Sequence, residues 1–121
     1  MSESRLLEGP SFDPAVGKRV RTDRQLTEAL LELGRGKAQV LMHMQKAWAS
    51  ITFSGARHSF DLMFAGEEAV EAGEAFIALL PEHEFTIPGQ LVADVTVTAT
   101  SHDAVAGTLL VTCELLLLEE S

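Results

Sequence analysis

The chain has 121 residues, 46% of them apolar and 22% charged, and one cysteine. That length suits a single domain and can bury a core without disulfides or a structural metal, while the lone Cys113 excludes an intramolecular bridge and any multi-thiolate metal site. The net charge of −9 is unevenly placed: residues 1–57 hold all nine Lys and Arg and carry +3, whereas residues 58–121 hold twelve acids, no Lys or Arg, and carry −12. Phosphate binding needs cations, so this second half argues against nucleic acid as a partner. Charge matching between the basic half of one subunit and the acidic half of another is the partner-related reading of the same pattern.

Residues 1–21 contain Gly9-Pro10, Pro14 and Gly17 without periodicity and read as an N-terminal arm, partly flexible, ahead of one domain over residues 22–121. Met1 to Gly9 carries Glu3, Arg5 and Glu8 and has no apolar run of the kind a secretory leader needs. The apolar run Leu115 to Leu118 is far shorter than the roughly 20 residues of a bilayer crossing. A cytoplasmic protein without a membrane partner is the expectation.

Thr22, three residues before Gln25, has capping-box spacing and predicts a helix start. Leu26, Ala29, Leu30 and Leu33 follow at helical intervals, and Gly34 is a natural stop. A strand follows in which Val40, Met42 and Met44 share one parity and Ala47, Ala49, Ile51 and Phe53 the other. A phase change of this kind needs an extra residue or a turn, and a bulge near Gln45-Lys46 is expected, because Gln-Lys suits a tight turn poorly. Ser54-Gly55-Ala56 is the predicted hairpin turn, with Phe60, Leu62 and Phe64 alternating on the returning strand.

Gly66 to Leu80 reads as a second helix, with Glu67 and Glu68 at its start, a stripe of Val70, Gly73, Phe76, Ile77 and Leu80, and Pro81 at its end. Gly73 within the stripe would let the helix approach a sheet closely. Pro88-Gly89 marks a turn. Leu91, Ala93, Val95, Val97 and Ala99 then alternate with Asp94, Thr96, Thr98 and Thr100, predicting one buried and one wet face. After a turn at Ser101 to Ala104, residues 105–119 form a last strand whose odd positions, Leu109 to Leu117, are continuously apolar. The chain order α-β-β-α-β-β predicts a two-layer α+β fold, an antiparallel sheet of four or five strands with two helices on one face.

The even face of the last strand should be polar, yet Leu110, Leu116 and Leu118 interrupt it. By parity the first hairpin would add Leu41, His43, Trp48 and Met63 to that outer face. Such a surface marks a subunit interface, cover by the arm through Phe12, or a ligand groove. As a groove its plausible lining is Trp48, His43 and Asp61, with the small-molecule ligand unidentified.

No constellation of catalytic residues emerges. Ser54 and Ser59 lack the strand-to-helix elbow of a hydrolase nucleophile, and Cys113 falls on the parity that faces the helices, as a small buried hydrophobe would. Glu67, Glu71 and Glu74 read as a solvated helix face. None of His43, His58, His83 and His102 has metal-site spacing; Glu82-His83-Glu84 is the grouping that would serve if a metal were held. No cofactor is implied.

From about Arg57 onward the chain resembles phage tail-terminator-like proteins. The resemblance rests on the strand His58-Ser59-Phe60-Asp61-Leu62, the small-residue helix Ala65 to Leu80, the strand Leu91 to Val97 and the closing Gly107-Thr108-Leu109-Leu110-Val111. It covers about half the chain; Ala38 to Phe53 and the basic arm have no counterpart. It implies a small α+β protein that forms a ring capping a phage-type tail, with no catalytic residues. The sequence as a whole points to a non-catalytic, self-associating assembly or interaction module. The alternative is a small-ligand-binding protein or enzyme using the outer sheet face.

Overall fold

A computed structural model describes residues 14–120. Phe12 and most of the expected arm lie outside the described residues. Helix α1 (Pro14–Leu33) begins eight residues before the expected cap and absorbs the end of that arm. Pro14 is its first residue, a position where the fixed φ of proline suits the helix and its missing N–H is no loss. Thr22 therefore sits in the body of the helix, buried, in line with Leu26 and Leu30. The helix stops as expected: Gly34 and Gly36 N–H donate to the Leu30 and Leu31 carbonyls at 3.0 and 2.9 Å. Arg35 and Gly36 take left-handed φ values of 60° and 70°, a conformation that glycine adopts without strain.

Strands β1 (Ala38–Ala49) and β2 (Ser54–Ala65) form the expected hairpin, but its turn is Ser50–Phe53 rather than Ser54–Ala56. Phe53 N–H donates to Ser50 Oγ at 3.1 Å, and Ser50 N–H to the Phe53 carbonyl at 2.8 Å. A serine hydroxyl thus closes the turn locally, which the alternation of apolar residues does not reveal. Helix α2 (Glu67–Leu79) runs into a single 3-10 turn, Leu80–Glu82. The Pro88-Gly89 turn forms, closed by Gln90 N–H to the Ile87 carbonyl at 3.0 Å with Gly89 at φ 77°. Strands β3 (Gln90–Asp103) and β4 (Thr108–Glu119) complete the chain. Their connection falls at residues 104–107, beyond the expected Ser101; Asp103 Oδ1 accepts the Val105 and Ala106 N–H groups at 3.0 and 2.9 Å.

The sheet has four antiparallel strands in the order β1-β2-β4-β3, so the two hairpins meet along β2 and β4. Phe60, Leu62 and Phe64 of β2 and Leu109, Val111, Cys113, Leu115 and Leu117 of β4 are buried on one face. Both helices touch that face. From α1, Leu26 and Leu30 join the core cluster and Asp23 reaches Gln45 and His58. From α2, Gly73 lies so close that a β-carbon there would come within 2.8 Å of Leu109 Cδ2 and Phe64 Cγ. Each large apolar side chain buried in this layer contributes about 1.5–3 kcal/mol. Lys37, just before β1, adds an exposed ion pair to Glu68 on α2 at 2.6 Å.

Three bulges set which residues face the helices. In β1 the register shifts between Val40 and Met42, leaving Leu41 as the extra residue. The expected bulge is present but lies about five residues earlier than Gln45-Lys46. In β3 the register shifts twice, at Ala93 and at Thr98. Consequently Val92, Val95 and Val97 pack against the core, while Leu91 is paired with Leu118 and is half exposed. The simple alternation from Leu91 to Ala99 does not hold along β3.

Candidate functional site

The displaced bulge in β1 determines where His43 points. With Leu41 extruded, His43 pairs with Phe60 of the core face, and Met42 and Met44 pair with Asp61 and Ser59 of the outer face. The His43 ring stacks on Phe60, centroids 4.0 Å apart and planes 12° from parallel. His43 is therefore not on the outer face with Trp48 and Met63, as parity suggested; it is on the helix side. Leu41 is an exposed bulge residue.

Turned inward, His43 Nε2 meets Nδ1 of buried His58 at 2.9 Å. Asp23, carried by α1 over this corner, has its Oδ1 4.0 Å from the same His58 Nδ1. Gln45, the next inward residue of β1, donates from Nε2 to Asp23 Oδ2 at 2.6 Å, which fixes the carboxylate and leaves Oδ1 turned to the imidazoles. Asp23, His43 and His58 each offer a ligand atom within 4.8 Å of the others, the one such group of His, Cys, Asp and Glu side chains among the described residues.

Burial keeps both imidazoles below their ordinary value of 6.5. For His58 the neighbouring His43 adds to this, and for both rings Asp23 pulls weakly the other way. At neutral pH both rings are thus uncharged, one donating and the other accepting across the 2.9 Å contact. Beside them lies a pocket of about 500 Å³, lined by Asp23 and His58 together with Lys18, Arg19, Gln90 and Glu119. Two neutral imidazoles and a carboxylate, of which His58 and Asp23 reach the pocket wall, can hold a cation or relay a proton.

Other expected site residues fall elsewhere. Glu82, His83 and Glu84 are exposed beyond the end of α2, and His83 meets Phe85 edge-on at 4.6 Å rather than converging with the carboxylates. Cys113 is buried, and burial pushes its thiol up to about 12, with Asp61 and Glu114 adding to the effect. Asp61 accepts a hydrogen bond from Thr112 Oγ1 at 2.8 Å on the outer face. Trp48, His43 and Asp61 accordingly do not line one groove.

Trp48, Met63, Leu110, Leu116 and Leu118 do share the outer face by register, opposite the helices. Neither helix covers that face, and Leu91 extends it onto β3. Arg57 and Glu114 lie across β2 and β4 with Nη1 and Oε1 3.9 Å apart.

The Asp23-His43-His58 group could have been found from sequence by placing the bulge at Leu41 and noting that Asp23, Leu26 and Leu30 follow one helical stripe. No helix of the described residues is long and apolar enough to cross a membrane. No protein-family model, curated protein or solved structure matches the chain.

Proposed function

We propose that the protein is a non-catalytic, self-associating assembly or interaction module that uses the outer face of its sheet. The observation that carries this reading is a four-stranded sheet with both helices on one side and a row of apolar residues on the other: Trp48, Met63, Leu110 and Leu116 half-buried, Leu91 exposed, and Leu118 buried among them. Apolar surface that the described helices leave open favours association.

A second copy of the chain is the occupant that the charges favour. On the outer face Lys46 and Arg57, with Asp61 among them, belong to the β1–β2 half, and Asp94, Asp103 and Glu114 to the β4–β3 half, so the first half is net basic and the second acidic. A two-fold axis parallel to the strands lays the basic half of one sheet on the acidic half of the other, the self-complementarity an isologous contact needs. The bulges in both edge strands discourage lateral strand addition and leave the face as the better contact. A ring of the tail-terminator kind would instead need heterologous contacts.

Mass in solution at low and high salt tests this reading. A dimer that weakens with salt supports face-to-face pairing, and a larger closed ring supports the tail-terminator-like assembly. A monomer under both conditions ends the self-association reading.

A further inference from the structure

We propose that Asp23, His43 and His58 form a binding site for one divalent transition-metal ion, zinc being the ion the donor set suits best. Two imidazole nitrogens and one carboxylate oxygen, with remaining positions open, are a recurrent donor set for zinc and for non-haem iron. The three residues come from α1, β1 and β2, and their ligand atoms already converge.

The geometry is close to that of a bound ion. Ligand atoms about 2.0–2.1 Å from a metal stand about 2.9–3.4 Å from one another, depending on coordination geometry. His43 Nε2 and His58 Nδ1 are 2.9 Å apart, within that range. Asp23 Oδ1 is 4.0 Å from His58 Nδ1, and the three ligand atoms lie within 4.8 Å of one another, so the carboxylate, 29% exposed, has to swing inward while Gln45 keeps hold of Oδ2. A metal would lie off the line between the two nitrogens, and the ring that now donates would carry its proton on its other nitrogen instead, which frees both facing nitrogens to ligate.

The surroundings fit the same assignment. Gln45 holds Asp23 Oδ2 and orients the carboxylate, as partners of metal ligands commonly do. Phe60 stacks under His43 and fixes its ring plane. Asp23 and His58 line the pocket of about 500 Å³, from which water or a small anion could complete the shell. This site is on the helix side of the sheet and does not depend on the self-association reading.

The test is titration of zinc into chelator-stripped, untagged protein, followed by calorimetry and by the histidine ring resonances in NMR. One equivalent should bind saturably, shifting His43 and His58 while leaving His83 and His102 in place. Asp23→Asn and His43→Gln keep side-chain volume and should weaken binding at least tenfold, and Gln45→Ala by about 10–100-fold. Far-UV circular dichroism identifies any variant that has failed to fold, and Asp23→Asn, being partly exposed, carries the result if His43→Gln unfolds. Absence of saturable binding, shifts at His83 or His102 instead, or unchanged affinity in folded Asp23→Asn would each overturn the assignment.

Discussion

His43 Nε2 and His58 Nδ1 face each other across 2.9 Å on adjacent strands, His43 paired with Phe60 and His58 with Gln45 in the register. They are thus diagonal neighbours on the core face, a separation within reach of long side chains. One hydrogen bond satisfies a nitrogen of each ring only while at least one ring is neutral. Charging both would set two cations against each other in a half-dry corner with Asp23 as the sole nearby anion in the group.

Stability should therefore fall with acid in a window set by these rings. Their folded values are lowered from 6.5, so the unfolded chain takes up protons first as pH drops. The stabilisation is fully present above pH 6.5 and is lost as pH falls through the lowered folded values. Urea midpoints at pH 7.5 and at successively lower pH measure this, and His43→Gln/His58→Gln should flatten the slope. An unchanged slope in the folded double variant would place the acid sensitivity elsewhere.

Gly73→Ala sets two effects against each other. Alanine improves helix propensity by about 1 kcal/mol, but its β-carbon would lie 2.8 Å from Leu109 Cδ2 and Phe64 Cγ. Both neighbours are buried, so overpacking of about 1–3 kcal/mol should prevail. A lower urea midpoint at constant m-value is expected; a higher midpoint would mean the helix can lift without cost.

Cys113 should be silent to thiol reagents in the folded protein. The thiol is pushed up to about 12 and is buried, so little thiolate exists at pH 8 and none is accessible. Labelling in native buffer should follow opening of the domain, and labelling in concentrated urea should be prompt. Prompt native labelling would show that β4 is exposed.

Leu116 and Leu117 are adjacent but face opposite sides of β4. Leu117→Asp buries an unpaired carboxylate whose cost, at least several kcal/mol, rivals a whole domain's stability of about 5–15 kcal/mol. Leu116→Asp should leave the fold intact by circular dichroism and disperse any dimer in sedimentation. An undiminished dimer would move the interface off this face.

The element order, the helix stop at Gly34, the hairpins and the core parity of β2 and β4 were legible because regular alternation and glycine placement report on them directly. The faces of β1 and β3 were not. A bulge changes the meaning of every later position in its strand, and nothing in Val40-Leu41-Met42 or in Val92-Ala93-Asp94 marks which residue is extruded. That single ambiguity sent His43 to the wrong side of the sheet. The early start of α1 was hidden for a related reason: Thr22-Gln25 has the spacing of a cap, but the stripe through Asp23, Leu26 and Leu30 is decided by what it packs on.

The strand order also bears on how the chain folds. Each hairpin joins neighbours in sequence, whereas the β2–β4 seam brings together residues as distant as Gly55 and Leu118. Closing that long loop has to precede any gain from the contacts it brings. The seam, not the hairpins, is then the expected kinetic bottleneck: truncating Leu62 or Val111, which face each other across it, should slow folding, while truncating Met44 on the outer strand should chiefly alter unfolding.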